Sequence, residues 1–181
     1  MSPGQPTLRL GRTMTARELA GLYARLSLLT AGLSALACVL ASHLLWNWTP
    51  SLPRGLYWLS RGAQARLGAL VAFPVPGGVR ELVEERKYLP PGALLVKPVV
   101  AMDSDRVCTD GGVLTVNGAP LGAVLTRDTA GRPLPHDHEC GAVPEGLVYV
   151  ASHYAKSFDS RTFGPVPRSD IQGTVTPLWT Y

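Results

Sequence analysis

The sequence predicts a mainly β domain with one or two short helices, preceded by an N-terminal transmembrane helix. Three observations predict it. A single apolar run, Leu26 to Trp46, has no acidic or strongly basic side chain and is long enough to cross a bilayer as a helix. The rest of the chain is a succession of short apolar or period-two runs broken by turn residues, drawing on 19 Gly and 16 Pro. Only "GVRELVEERKYL" (78–89) carries apolar residues at helical spacing.

Along the chain, residues 1–25 form a basic N-terminus in which Arg9, Arg12, Arg17 and Arg25 face a single Glu18. The excess of arginine places this end in the cytoplasm and residues 47–181 on the far side. Residues 26–46 form the anchor, with Trp46 and Trp48 at its outer interface. The small residues of Ala35-Leu36-Ala37 keep a cleaved signal peptide open as an alternative, and either reading exports the remaining chain. Strands are expected at 67–73, 93–102, 113–122, 146–152 and 171–179, with a hairpin turn at Asn117-Gly118, where both residues tolerate positive φ. The polar stretch 123–145 reads as a long loop. A length of 181 residues leaves room for one membrane segment and one domain with a real core. The net charge of +4 comes without a dense basic block, which argues against nucleic-acid binding.

The chemistry-bearing residues are few. With Cys38 inside the apolar run, Cys108 and Cys140 are the cysteine pair of the exported part, where an oxidising compartment favours a disulfide. A serine nucleophile with a histidine base is poorly served: His43 lies in the apolar run, His136 and His138 in the polar loop, and only His153 near a strand end. No G-x-S-x-G elbow marks any serine. His136-Asp137-His138-Glu139 could be imagined as metal ligands, but the run reads as a solvated loop and no metal is expected. Lysine offers a different base. Of the three lysines, Lys87, Lys97 and Lys156, Lys87 falls in the charged stretch "EERK", whereas Lys97 lies in "ALLVKPVVAM", sharing a strand face with Leu95 and Val99. Burial there would disfavour the ammonium and make Lys97 a proton acceptor. An edge-strand lysine reaching back to water is the other reading, and Pro98 is compatible with an edge.

The stretch "TPSLPRGLYW" places Ser51 between Pro50 and Pro53. Followed by "LLVKPVVAMDSDRV" and "SFDSRTFGPVP", it resembles the signal peptidase I family of Ser–Lys proteases, and within it the TraF-type conjugative transfer peptidases that mature pilin subunits. The resemblance runs from about Trp46 to Trp179. "VLTVNG", "GRPLP" and the cysteine pair also fit that branch. The resemblance implies a signal-peptidase-like β domain in which Ser51 is the nucleophile and Lys97 the general base. It further implies an oxyanion hole from the Ser51 N–H and the Thr49 hydroxyl. Asp105 corresponds to a strand-turn position usually preceded by glycine, where Ser104 stands here. Asp159, Ser160 and Arg161 correspond to the motif supporting the lysine, with Ser160 expected to bond Lys97 and Asp159 to pair with Arg161.

As a function, the resemblance implies a serine endopeptidase that needs no cofactor. It would be held in the inner membrane by a single pass, with its catalytic domain in the periplasm. Its partners would be the membrane, an exported pilin-like precursor and other transfer-apparatus proteins. A general signal peptidase and an anchored structural component of a transfer apparatus are the alternatives.

Overall fold

The computed structural model describes residues 14–136 and 140–181, which form two units divided after Ser42. Arg9 and Arg12 of the basic N-terminus, and Asp137, His138 and Glu139 of the imagined metal cluster, lie outside the described residues.

The first unit is helix α1, Ala16–Ala41. It starts ten residues ahead of the expected span, because Thr15 and Glu18 build a capping box: Glu18 N–H donates to the Thr15 hydroxyl, and the Glu18 carboxylate accepts from Thr15 N–H at 2.8 Å. No residue of α1 is buried in the chain, and by length and composition it can cross a membrane. The expected anchor is corrected at its far end too. Leu44 to Trp46 are not helical but belong to strand β1 (Leu44–Asn47), which alternates half-buried and exposed side chains.

The second unit is mainly β, as expected. Strands β2 (Gly55–Arg61), β3 (Leu70–Pro74), β4 (Leu94–Met102), β9 (Leu147–Val150), β10 (Val166–Pro167) and β11 (Gly173–Thr180) join β1 in one antiparallel sheet of order β1-β2-β11-β3-β4-β9-β10. A second sheet, of order β7-β6-β5-β8, is built from β5 (Arg106–Asp110), β6 (Val113–Val116), β7 (Ala119–Ala123) and β8 (Gly141–Ala142). Helix α2 is Gly77–Glu85, shorter than 78–89, because Lys87 takes a positive φ of 54° and the following prolines cannot prolong a helix. Helix α3 is the short Ser160–Phe163.

Period-two burial drives the main sheet. Along β4, Leu95, Lys97, Val99 and Ala101 all point inward, and Leu95 and Val99 pack with Val71, Phe73, Val148 and Val150. Tyr57, Leu59, Ala72 and Val175 form a second packed group across β2, β3 and β11. Gly55 lets β2 approach β11 closely, since a Cβ there would sit 2.0 Å from the Trp179 carbonyl oxygen. The hairpin turn at Asn117-Gly118 has φ of 50° and 81°, the left-handed pair that a two-residue turn between β6 and β7 requires. Cys108 and Cys140 are joined, tying β5 to the end of the polar excursion.

That excursion is more ordered than its composition suggests. Leu134 is buried, and Asp128 accepts hydrogen bonds from the Tyr88 hydroxyl, from Arg132 Nε (2.7 Å) and from the backbone N–H of Ala130 and Arg132 (2.9 Å each). Arg86 reaches across to the Pro133 carbonyl at 2.9 Å. The segment is therefore clasped to the end of α2 instead of trailing in solvent.

Candidate active site

The connection between β1 and β2, residues 48–54, carries Ser51. Pro50 and Pro53 each fix φ near −65° and together remove two backbone donors, so the loop is stiff and its groups need partners outside the ladder. Those partners are the Tyr57 hydroxyl, which donates to the Pro53 carbonyl (2.6 Å), and the Asn47 carboxamide. The Ser51 side chain opens onto a cavity of about 580 Å³. Apolar side chains such as Leu45, Trp46, Leu89, Leu95 and Phe158 make up most of its wall, with Leu125 and Leu134 contributed by the clasped excursion.

Lys97 meets Ser51 there. The Lys97 ammonium donates to Ser51 Oγ at 2.7 Å, and Ser51 Oγ lies 3.1 Å from Thr49 Oγ1. The two alternatives for Lys97 are resolved by the topology of β4. Over Val99 to Met102 the strand pairs with β9, but over Leu94 to Lys97 it pairs only with β3. Pro98 falls where the second pairing begins, and with no N–H it can supply only the acceptor half of a rung there. Its carbonyl accepts from Ala151 N–H at 3.1 Å. The Lys97 half of β4 is thus an edge, yet the side chain is only 4% exposed because it points inward at Ser51.

Burial is the largest influence on its ionisation and lowers the Lys97 pKa from 10.5 to about 8; Asp159 opposes this by attraction and Arg161 adds repulsion. At pH 7, about a tenth of such a group is neutral and able to accept a proton. A hydroxyl held at hydrogen-bond distance from an amine of that pKa is an arrangement suited to nucleophilic acyl transfer.

Asp159 and Arg161 are both buried. The Asp159 carboxylate caps α3 through Arg161 N–H (3.1 Å) and binds the guanidinium at 3.0 and 2.8 Å. Arg161 also donates to the Ser152 and Tyr154 carbonyls, so this pair fixes the segment that leads from β9 into α3. Ser160 departs from expectation. Its hydroxyl accepts from Val150 N–H at 2.9 Å, on β9, and no hydrogen bond joins it to Lys97. The residue facing the cavity is Ser157, which sequence reasoning missed. It is buried, lines the same cavity as Ser51 and Lys97, and its hydroxyl has no partner among the described residues. With Asp159 as helix cap, position 160 is committed to the first turn packed on β9, while 157 precedes it. An aspartate before "SRTF" was the available signal.

Asp105 stands apart from the cavity. Its carboxylate accepts from Met102 N–H (2.9 Å) and from Asn117 Nδ2 (2.8 Å), closing the β4–β5 turn and tying it to the next hairpin. These bonds hold its pKa below the usual value. Ser104 takes the left-handed φ of 68° in that turn, a conformation more natural to glycine. The other candidate base, His153, is exposed and does not line the cavity. His43 bonds the Leu59 carbonyl (2.7 Å) and stacks on Trp58, and His136 bonds the Leu134 carbonyl (2.9 Å).

Residues 17–179 match the profile of the family described as signal peptidase, peptidase S26. The chain is 36% identical over 147 residues to plasmid transfer protein TraF of Escherichia coli, covering 75% of this chain and 82% of that protein. It is 32% identical over 185 residues to a probable conjugal transfer protein TraF of Sinorhizobium fredii, covering 93% and 95%. A crystal structure of a signal peptidase I from Enterococcus faecalis V583 aligns with 62% of this chain and 97% of its own, at TM-score 0.37 and 22% identity.

Proposed function

This chain belongs to the signal peptidase family, peptidase S26, and on that footing we propose that it is a membrane-anchored serine endopeptidase working through Ser51 and Lys97. The observation that carries the reading is the 2.7 Å contact between Ser51 Oγ and a buried lysine whose pKa is lowered to about 8.

In this reading neutral Lys97 takes the Ser51 proton as Oγ attacks the scissile carbonyl. The resulting oxyanion is met by the Ser51 N–H and the Thr49 hydroxyl, two donors aimed at charge that develops only in the transition state. The Lys97 ammonium then protonates the leaving amine as the C–N bond breaks, leaving an acyl ester on Ser51. Water, deprotonated by Lys97, then attacks the ester carbonyl, and the Ser51 Oγ–acyl bond breaks as the Lys97 ammonium returns the proton to Oγ. An amine at the substrate's own N-terminus could take the place of water and close a ring. Ser157, with its free hydroxyl in the same cavity, is suited to receive a hydrogen bond from Lys97 during these transfers.

Similarity to conjugal transfer proteins supports a role in conjugation, and the substrate in this reading is an exported, pilin-like precursor. The helix α1 supports attachment to the inner membrane with the β unit in the periplasm. A general signal peptidase is the second reading, favoured by the family-wide match. The test is mass spectrometry of a co-expressed pilin precursor with wild type and Ser51→Ala. Wild type should yield a shortened product, linear or cyclic, and Ser51→Ala only the uncut chain. A shortened product from both would sink the assignment, and equal cutting of unrelated exported leaders would favour the second reading.

A further inference from the structure

Asn47, the last residue of β1, has no part in the acyl-transfer chemistry, yet its side chain holds the whole nucleophile loop. The two hydrogens of its Nδ2 are shared among the carbonyls of Thr49 (3.1 Å), Leu52 (3.2 Å) and Pro53 (3.1 Å). Its Oδ1 accepts from Thr49 N–H (3.1 Å) and from the Thr49 hydroxyl (2.7 Å). The partners fix the amide orientation, because the flipped form would set an oxygen against three carbonyls and an NH₂ against two donors. The prolines stiffen the loop from within. Asn47 fastens it to the sheet.

The hydroxyl hydrogens beside Asn47 have a fixed direction. The Thr49 hydroxyl has one hydrogen and two neighbours, Asn47 Oδ1 at 2.7 Å and Ser51 Oγ at 3.1 Å. An amide oxygen can only accept, so without substrate that hydrogen goes to Asn47, and it turns to an oxyanion only when one forms. Thr49 Oγ1 is then left to accept from Ser51, and a charged Lys97, which can only donate, completes a chain directed from Lys97 through Ser51 and Thr49 to Asn47. In this arrangement the serine proton points away from Lys97. When Lys97 is neutral the Ser51 hydroxyl turns to it, and the loop need not move.

We propose that Asn47 is the positioning residue of this site, acting through Thr49 to hold Ser51 Oγ within reach of Lys97 and to set the direction of the hydroxyl chain. The proposal rests on the Ser51–Lys97 reading but makes separate predictions. Asn47→Leu keeps the side-chain shape and removes all five bonds. It should lower kcat by about tenfold or more, as expected for several lost hydrogen bonds, with the loss falling more on kcat than on KM because Asn47 acts through the placement of Ser51. The same substitution on a Thr49→Val background should cost clearly less, since the intermediary is already gone. Asn47→Asp keeps an acceptor for Thr49 and adds a negative charge at the end of the chain. It should move the Lys97 titration to higher pH, an effect that simple loosening of the fold would not produce.

The experiment uses the full chain in detergent. It measures kcat and KM on a peptide with small residues before the scissile bond, across pH, for wild type, Asn47→Leu, Thr49→Val, the double variant and Asn47→Asp. Thermal unfolding is measured on each, and Lys97 is titrated separately by ¹³Cε NMR. Non-multiplying losses in kcat and an upward Lys97 titration in Asn47→Asp would support the proposal. Equal losses in both backgrounds, a kcat unchanged below the unfolding temperature, or a Lys97 titration indifferent to Asn47→Asp would overturn it. If Asn47→Leu does not fold, the NMR titration of Asn47→Asp decides alone. A wild type that cleaves nothing would instead remove the peptidase reading, while that titration still reports whether Asn47 and Lys97 are coupled.

Discussion

Replacing Lys97 with methionine should make the domain more stable while abolishing its proposed activity. Folding carries the lysine from water into a site where only 4% of it remains exposed and its pKa falls from 10.5 to about 8. The difference, 10.5 − 8 = 2.5 pK units, is worth about 3 kcal/mol at 1.36 kcal/mol per unit. Because the folded pKa is the lower one, the unfolded chain binds more protons between the two values, and stability rises with pH across that window. The penalty is therefore complete below pH 8 and gone above about 10.5. Methionine is apolar and flexible enough to fill the same space, and Ser51 Oγ keeps Thr49 as a partner. Lys97→Met should gain about 3 kcal/mol at pH 7, or about 10 °C in Tm for a domain of this size. Urea unfolding of the detergent-solubilised chain, followed by tryptophan fluorescence, gives the comparison at each pH. The gap between variant and wild type should close between pH 8 and 10.5. A variant less stable than wild type at pH 7, or a gap indifferent to pH, would show that burial does not penalise the ammonium.

Activity at saturating substrate should rise with pH along a limb near pH 8, since the proposed base Lys97 can accept a proton only when neutral; a rate independent of pH from 6 to 9 would count against it. Lys97→Arg should be as inactive as Lys97→Ala, because a guanidinium keeps its proton, and cleavage near the wild-type rate would exclude Lys97 as the base. Arg161→Met leaves the Asp159 carboxylate buried without its guanidinium and should cost about 3–5 kcal/mol of stability, read in the same urea titration. Opening the Cys108–Cys140 bridge by Cys108→Ala should cost about 3–4 kcal/mol, given the 32-residue separation it closes.

Local alternation made much of the β unit legible. The shared strand face of Leu95, Lys97 and Val99 and the Asn117-Gly118 turn could be read directly, because each depends on a few adjacent residues, whereas the inward direction of that face depends on how the sheet packs. The β1–β2 hairpin was harder. Leu44 to Trp46 extend an apolar run, and only pairing with Leu56 to Trp58 makes them a strand, a non-local fact that hydropathy does not carry. The same limit explains Ser160 and Ser157. Both hydroxyls sit in one short motif, and which of them meets the cavity of Lys97 depends on how α3 docks against β9. Asp128 was hidden for a related reason: its partners Tyr88 and Arg86 lie some 40 residues away, so a polar stretch that reads as solvated loop becomes a cavity wall.

Whether Ser51 is the nucleophile is decided by the initial rate of cleavage of one precursor-derived peptide by wild type and by Ser51→Ala, followed by mass spectrometry, with both proteins shown to be folded. Removing a nucleophile that forms a covalent intermediate should reduce the rate by about a thousandfold or more. A Ser51→Ala enzyme within about tenfold of wild type would leave Ser51 without that role.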